Sequence, residues 1–119
     1  VGKALKRFER EMQRAVSDVL HQHVQPLFPD TVISVHHVIG TNDFGIAKVY
    51  IATFPEENVR KILTFLNGEK ENKQVRHLIA QRIRNKVKRI PEFRFYEDEL
   101  LKEMRKVEAL LKQIKDEEE

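Results

Sequence analysis

Seven cations stand between Asn72 and Pro91 with no acid among them: Lys73, Arg76, Arg82, Arg84, Lys86, Lys88 and Arg89. The rest of the chain mixes signs. Residues 1–30 hold five Lys/Arg and four Asp/Glu, residues 31–71 four and five, and residues 92–119 six and ten. The surplus behind the net charge of +3 therefore sits in one 20-residue window. An exposed helix normally alternates charge, because opposite signs three or four residues apart support it. A window of one sign repels itself, and binding a polyanion is the usual reason for it. Lysine and arginine neutralise phosphates with little regard to base sequence, and arginine also forks onto phosphate oxygens. The plainer explanation is a soluble helix whose cations favour its own C-terminal carbonyls. Arg7, Arg10 and Arg14 could extend a phosphate-binding surface along a first helix. Against that, Arg7–Glu11 and Arg14–Asp18 are each four apart and are expected to pair with one another.

Other chemistries find little support. No cysteine is present, so disulfides, thiolate zinc sites and cysteine nucleophiles are excluded. His21 and His23, two apart on a helix, point to nearly opposite sides. His36 and His37, adjacent in a strand, are expected on opposite sheet faces, so a shared metal fails on geometry. Ser17 and Ser34 are the only serines, and neither sits in a strand-turn-helix elbow. No phosphate-cradling or dinucleotide glycine motif appears. Glu56 and Glu57 open a helix and residues 116–119 form an acidic tail, so neither pair is placed for acid–base work. No catalytic residue, cofactor or metal is expected, and the chain does not read as an enzyme.

The elements that must position the cations follow from periodicity. Residues 4–24 read as a helix, with Leu5, Phe8, Met12, Ala15, Val16, Val19 and Leu20 on one face and Pro26 and Pro29 ending it. Residues 31–40 and 46–54 alternate and read as strands, joined by turn formers at 41–45 into an antiparallel hairpin. Residues 56–67 read as a helix stopped at Asn67-Gly68, and 70–88 as a third helix that Pro91 forbids from continuing. Residues 92–97 read as a strand with Phe93 and Phe95 on one face. Residues 98–115 read as a last helix, followed by a solvated, frayed tail at 116–119. Its row Leu100, Met104, Val107, Leu111, Ile114 is near-heptad, but two heptads are too few for a coiled coil. The expected role of that face is docking on the chain's own sheet or first helix. The order αββααβα gives one α+β domain over residues 1–115. Helices lie on one face of a three-stranded sheet, which is mixed because the double-helix crossover permits a parallel pairing.

Four stretches, in this order and spacing, resemble the ribosome-binding factor A family. They are Arg7-Phe-Glu-Arg-Glu-Met-Gln-Arg-Ala-Val-Ser-Asp-Val-Leu20, Thr41-Asn-Asp-Phe-Gly-Ile-Ala-Lys-Val-Tyr-Ile51, Val75-Arg-His-Leu-Ile-Ala-Gln-Arg-Ile83 and Arg89-Ile-Pro-Glu-Phe-Arg-Phe95. The resemblance covers roughly residues 5–115 and implies a type II KH-like fold. It also implies binding to the immature small (30S) ribosomal subunit and its precursor 16S rRNA, with help to maturation and processing, and in some bacteria a part in growth in the cold. The sequence departs from the family pattern in three places. Glu71-Asn-Lys73 stands where an Ala-x-Gly kink is frequent. Glu97-Asp-Glu-Leu100 stands where Asp-x-Ser-Leu often opens the last helix. No Gly-x-x-Gly loop exists, the glycines being Gly2, Gly40, Gly45 and Gly68, so a KH clamp reading single-stranded RNA is not expected.

The expectation is therefore a monomeric, cytoplasmic RNA-binding domain acting on the small subunit, with no membrane and no small-molecule substrate. No apolar run approaches the ~18 residues of a membrane span, and the N-terminus has no apolar signal core. Two rivals remain open at this level: a protein-interaction module using the basic helix and the last helix, and a general RNA binder without ribosomal preference.

Overall fold

The alternating segments form β1 (Val32–Gly40) and β2 (Ile46–Phe54), which pair antiparallel, and β3 (Glu92–Glu97) joins β2 in parallel, giving the strand order β1-β2-β3. The mixed three-stranded sheet matches the expectation. This computed structural model describes residues 2–118, with the side chains of residues 99, 101, 102, 104, 105 and 118 excepted. The side chain of Met104, a member of the apolar row, and Glu119 of the tail thus fall outside what is described.

Three helices cover one face of the sheet. From α1 (Lys3–Val19) come Phe8, Met12, Ala15, Val16 and Val19. From α2 (Val59–Asn67) come Ile62 and Leu66, and from α3 (Glu69–Ile83) Val75, Ile79 and Ile83. They meet Ala47, Val49 and Ile51 of β2 and Phe93 and Phe95 of β3 in a single core. Burying such side chains contributes ~1.5–3 kcal/mol each, which is why the three-four spacing of the sequence maps onto one continuous layer. At Gly40 the first helix comes closest to the sheet. A Cβ there would lie 2.9 Å from the Phe8 ring, and the Gly40 amide donates to Glu9 Oε2 at 2.8 Å. The expected first helix holds, but its last turns widen into a π-turn over Leu20–Val24 and then tighten into a 3₁₀ turn over Gln25–Leu27.

Parallel pairing leaves β3 with an open outer edge, a row of backbone groups that must find partners. The α2–α3 hairpin supplies them. Asn67 donates to the Phe95 carbonyl at 2.9 Å and accepts from its amide at 3.0 Å. Asn72 donates to the Phe93 and Leu66 carbonyls at 3.0 and 2.9 Å. Gly68, between the helices, is in an extended conformation, so the break falls there and Glu71, Asn72 and Lys73 run inside α3.

Three expectations are corrected. The strand pairing shifts between Val35 and His37. His36 is the extra residue of a β-bulge, and His36 and His37 share the outer sheet face instead of opposing one another. Core-facing residues therefore fall at Ile33 and Val35, then at Val38 and Gly40. The last helix, α4 (Glu99–Glu118), runs past residue 115, so residues 116–118 remain helical. Nor does any described side chain of α4 dock on the sheet or on α1: each of them is exposed, including Leu100, Val107, Leu110, Leu111 and Ile114. Asp98 caps its start, accepting the Leu100 amide at 2.9 Å on Oδ1 and the His36 Nδ1–H at 2.9 Å on Oδ2.

Candidate nucleic-acid interface

The seven cations of the 72–91 window do not share one helix, as the expected span 70–88 would have had it. Only Lys73, Arg76 and Arg82 lie on α3; Arg84 caps it, and Lys86, Lys88 and Arg89 stand in the connection to β3. The helix ends because the Ile83 carbonyl accepts both the Lys86 amide (2.8 Å) and the Val87 amide (3.2 Å), which turns the chain. Half-buried Val87 and Ile90 then pack against the core, and Pro91 is buried. That path delivers β3 alongside β2 and lifts the intervening cations outward.

The window divides in two. Arg76 is committed to the fold: Nε donates to the Pro91 carbonyl at 3.0 Å and Nη2 to the Ile90 carbonyl at 2.9 Å. It continues the edge cover begun by Asn67 and Asn72. Lys73, nearby, lies 3.6 Å from Glu69, with both side chains well exposed. The second group runs beside α1. Arg82 lies 3.8 Å from Asp18 and donates to Gln22 Oε1, and Lys86 lies 3.3 Å from Glu11. The pairs expected within α1, Arg7–Glu11 and Arg14–Asp18, are therefore replaced by pairs from α1 to Arg82 on α3 and to Lys86 just beyond it. Exposed pairs of this kind are worth ~0–1 kcal/mol, so they orient side chains more than they hold the fold. Among the described residues no salt bridge engages Arg7, Arg10 or Arg14, nor Arg84, Lys88 or Arg89.

Arg7, Lys86, Lys88 and Arg89 converge on a cleft of about 590 Å³, together with Asp43 and Phe44 from the hairpin loop. Phe44 holds a left-handed backbone (φ 59°), rare for a bulky residue, and its ring packs on buried Phe8 with centroids 4.9 Å apart. The loop is fixed by Asp43, whose Oδ1 accepts from Thr41 Oγ1 at 2.7 Å and from the Gly45 amide at 2.9 Å. Those two hydrogen bonds, with a smaller contribution from the Arg89 charge, hold the Asp43 carboxyl below its ordinary value of 3.8. Beyond Lys86 a second cleft of about 220 Å³ is lined by Arg14, Asp18 and Arg82. The two clefts share Glu11 and Lys86, so they form one seam between α1 and the 82–89 segment. Of the ten cations expected from sequence, Arg7, Arg14, Arg82, Lys86, Lys88 and Arg89 line it. Arg10 and Arg84 are exposed but line neither cleft, and Lys73 and Arg76 border a separate hollow with Glu92 and Arg94.

Such a seam offers cations at several points along a path, suited to a chain of phosphates. Among the described residues no group of three or more His, Asp or Glu is placed to hold a metal ion. No helix among the described residues is long and apolar enough to cross a membrane. Reading by residue type overlooked Asp43 and Phe44, which shape the cleft without supplying its charge. The signal was available in the turn pattern Thr41-Asn-Asp43, whose side chains bond their own backbone.

The chain is similar to known proteins along most of its length. The family model described as Ribosome-binding factor A matches residues 4–111. A protein of that name from Chlorobium chlorochromatii (strain CaD3) is 43% identical over 86 residues, 71% of this chain and 68% of that protein. Its counterpart from Chlorobaculum tepidum is 35% identical over 105 residues, 87% of this chain and 84% of that one. Among solved structures, the crystal structure of ribosome-binding factor A from Thermus thermophilus superposes with a TM-score of 0.63 at 23% identity, over 82% of this chain and 97% of that chain. The solution structure of a putative ribosome binding factor A from Thermotoga maritima gives 0.58 at 23% identity, over 82% and 90%. These neighbours bear out the KH-like architecture.

Proposed function

The chain belongs to the ribosome-binding factor A family, and from that premise we propose that it binds the immature small ribosomal subunit through precursor 16S rRNA and assists its maturation and processing. The supporting observation is the seam itself. Cations from α1 and from residues 82–89, far apart in sequence, flank one pair of adjoining clefts. In this reading Arg7, Arg10, Arg14, Arg82, Arg84, Lys86, Lys88 and Arg89 meet phosphates. Lys73 lies at the margin, and Arg76 serves the fold. Contacts of that kind position a protein on RNA and specify little sequence, in keeping with a chain that lacks a Gly-x-x-Gly clamp. The protein acts in the cytoplasm as a monomer and binds without catalysis. It favours immature over mature RNA conformations by the difference of its affinities for the two, which would matter most in the cold, where RNA rearranges slowly.

The test is co-sedimentation with purified small and large subunits. The unmodified chain is expected on small subunits only. Reversing Arg84, Lys88 and Arg89 to glutamate is expected to abolish association while the circular dichroism spectrum stays unchanged; undiminished co-sedimentation would overturn the assignment. Equal displacement by unrelated duplex RNA would instead indicate a general RNA binder. A second reading, a protein-interaction module, draws on the exposed apolar row of α4. It requires self-association or protein capture that survives high salt.

A further inference from the structure

The outer face of the sheet, opposite the helices, carries an aromatic row that the phosphate seam does not use. His37, Tyr50 and Tyr96 are register partners across β1, β2 and β3. The rings of His37 and Tyr50 stack with centroids 4.5 Å apart and planes 18° from parallel, and those of Tyr50 and Tyr96 with 5.6 Å and 29°. The bulge at His36 makes this possible. Without the extra residue His37 would point into the core, and with it His37 stands opposite Tyr50. His36, the other bulge residue, is tied to Asp98 Oδ2 at 2.9 Å, and the same oxygen lies 3.8 Å from His37 Nδ1 at the edge of the row. Tyr50 covers one face of each terminal ring. Both terminal rings reach solvent among the described residues, with Tyr96 38% exposed and the His37 side chain 46%.

One outward position along, about 7 Å by strand geometry, stand Lys48 and Arg94, themselves register partners, with Arg94 in an exposed pair with Glu92 at 3.5 Å that a phosphate would have to displace. Stacked aromatics on a bare sheet beside cations are how single-stranded nucleic acid is held: rings take the π-faces of unstacked bases and the cations take the phosphates. Cross-strand ring pairs also stabilise the sheet itself, by a few tenths to about 1 kcal/mol each, but that role does not call for flanking cations.

We propose that this row is a second nucleic-acid site, on which one or two unpaired nucleobases of a single-stranded segment continue the stack at Tyr96 or His37 while Lys48 and Arg94 meet the adjoining phosphates. The site would be tolerant of sequence, since every base presents a π-face. It goes beyond the phosphate seam, lies on the opposite side of the sheet, and is judged by a different measurement.

The chain has no tryptophan, and its two tyrosines are both in the row, so tyrosine emission reports this face directly. Titration with an end-labelled oligouridylate is expected to quench that emission with the same midpoint as the rise in label anisotropy. Tyr96→Leu is expected to weaken binding roughly five- to hundredfold and leave the slope of log affinity against log salt unchanged, because stacking releases no counterions. Tyr96→Phe keeps the ring and is expected to bind within about twofold of the parent, which controls for any loss of folding. Binding of the oligomer without quenching overturns the proposal. Undiminished binding by Tyr96→Leu overturns it, as does a weakening accompanied by a changed salt slope. Quenching by RNA-free small-subunit proteins, with none by the oligomer, would assign the face to a protein partner and overturn it equally.

Discussion

Neutralising Arg84, Lys88 and Arg89 together, each to glutamine, tests the proposed phosphate contacts more sharply than abolishing binding does. These three are exposed, and no described acid lies within bridging distance of them, whereas Arg82 and Lys86 are already held by Asp18 and Glu11. Each free cation that neutralises one phosphate contributes about −0.9 to the slope of log affinity against log salt on duplex, and about −0.7 on a single strand. Removing three should therefore flatten the slope by roughly 2 to 3 units. Between 50 and 200 mM salt, the affinity advantage of the parent chain over the variant should shrink roughly 20- to 40-fold. Filter binding or anisotropy on a small-subunit RNA fragment at four or five salt concentrations measures both lines. Parallel lines would refute the reasoning, whatever their separation, because they would mean that no phosphate is neutralised by these residues.

Arg76→Gln supplies the contrast: its guanidinium bonds the Ile90 and Pro91 carbonyls, so the salt slope should stay as it was while stability falls by about 1–3 kcal/mol, read by urea unfolding. Asp43 titrates below 3.8 in the folded chain, so its contribution is present above that pH and lost as pH falls through the folded value. The melting temperatures of the parent and Asp43→Asn should accordingly differ by a constant amount at pH 5–7 and converge below pH 4; a difference that persists unchanged at pH 3 would show that the Asp43 charge does not fix the loop. Asp98→Ala removes both the cap on Leu100 and the anchor of His36, and should cost ~0.5–2 kcal/mol, with helical ellipticity lost from the α4 segment alone; full helicity would show that α4 does not depend on this cap.

Much of the molecule was legible in sequence because its signals are local. The period of two in 32–40 and 46–54, the three-four stripes of α1, α2 and α3, and the stop at Asn67-Gly68 each report which face is apolar and where it ends. Cations free of acids over 72–91 likewise marked the charged segment without any knowledge of the fold. The bulge left a trace too, in the step of three from Val35 to Val38, but a step of three reads as a slip in the pattern until pairing with β2 gives it a meaning.

The amino-acid sequence by itself determined the element order, the core stripes and where positive charge accumulates, since these depend on neighbours three or four residues away. The tertiary structure alone decided how that charge is used. Glu11 and Asp18 turn from Arg7 and Arg14 to Lys86 and Arg82 because the end of α3 packs within 4 Å of α1. Arg76 turns to the Ile90 and Pro91 carbonyls just before β3 because the fold brings those acceptors within reach of its guanidinium. An acid or a guanidinium chooses among several reachable partners by distance and by what would otherwise be left unsatisfied, and neither quantity exists until the chain has folded.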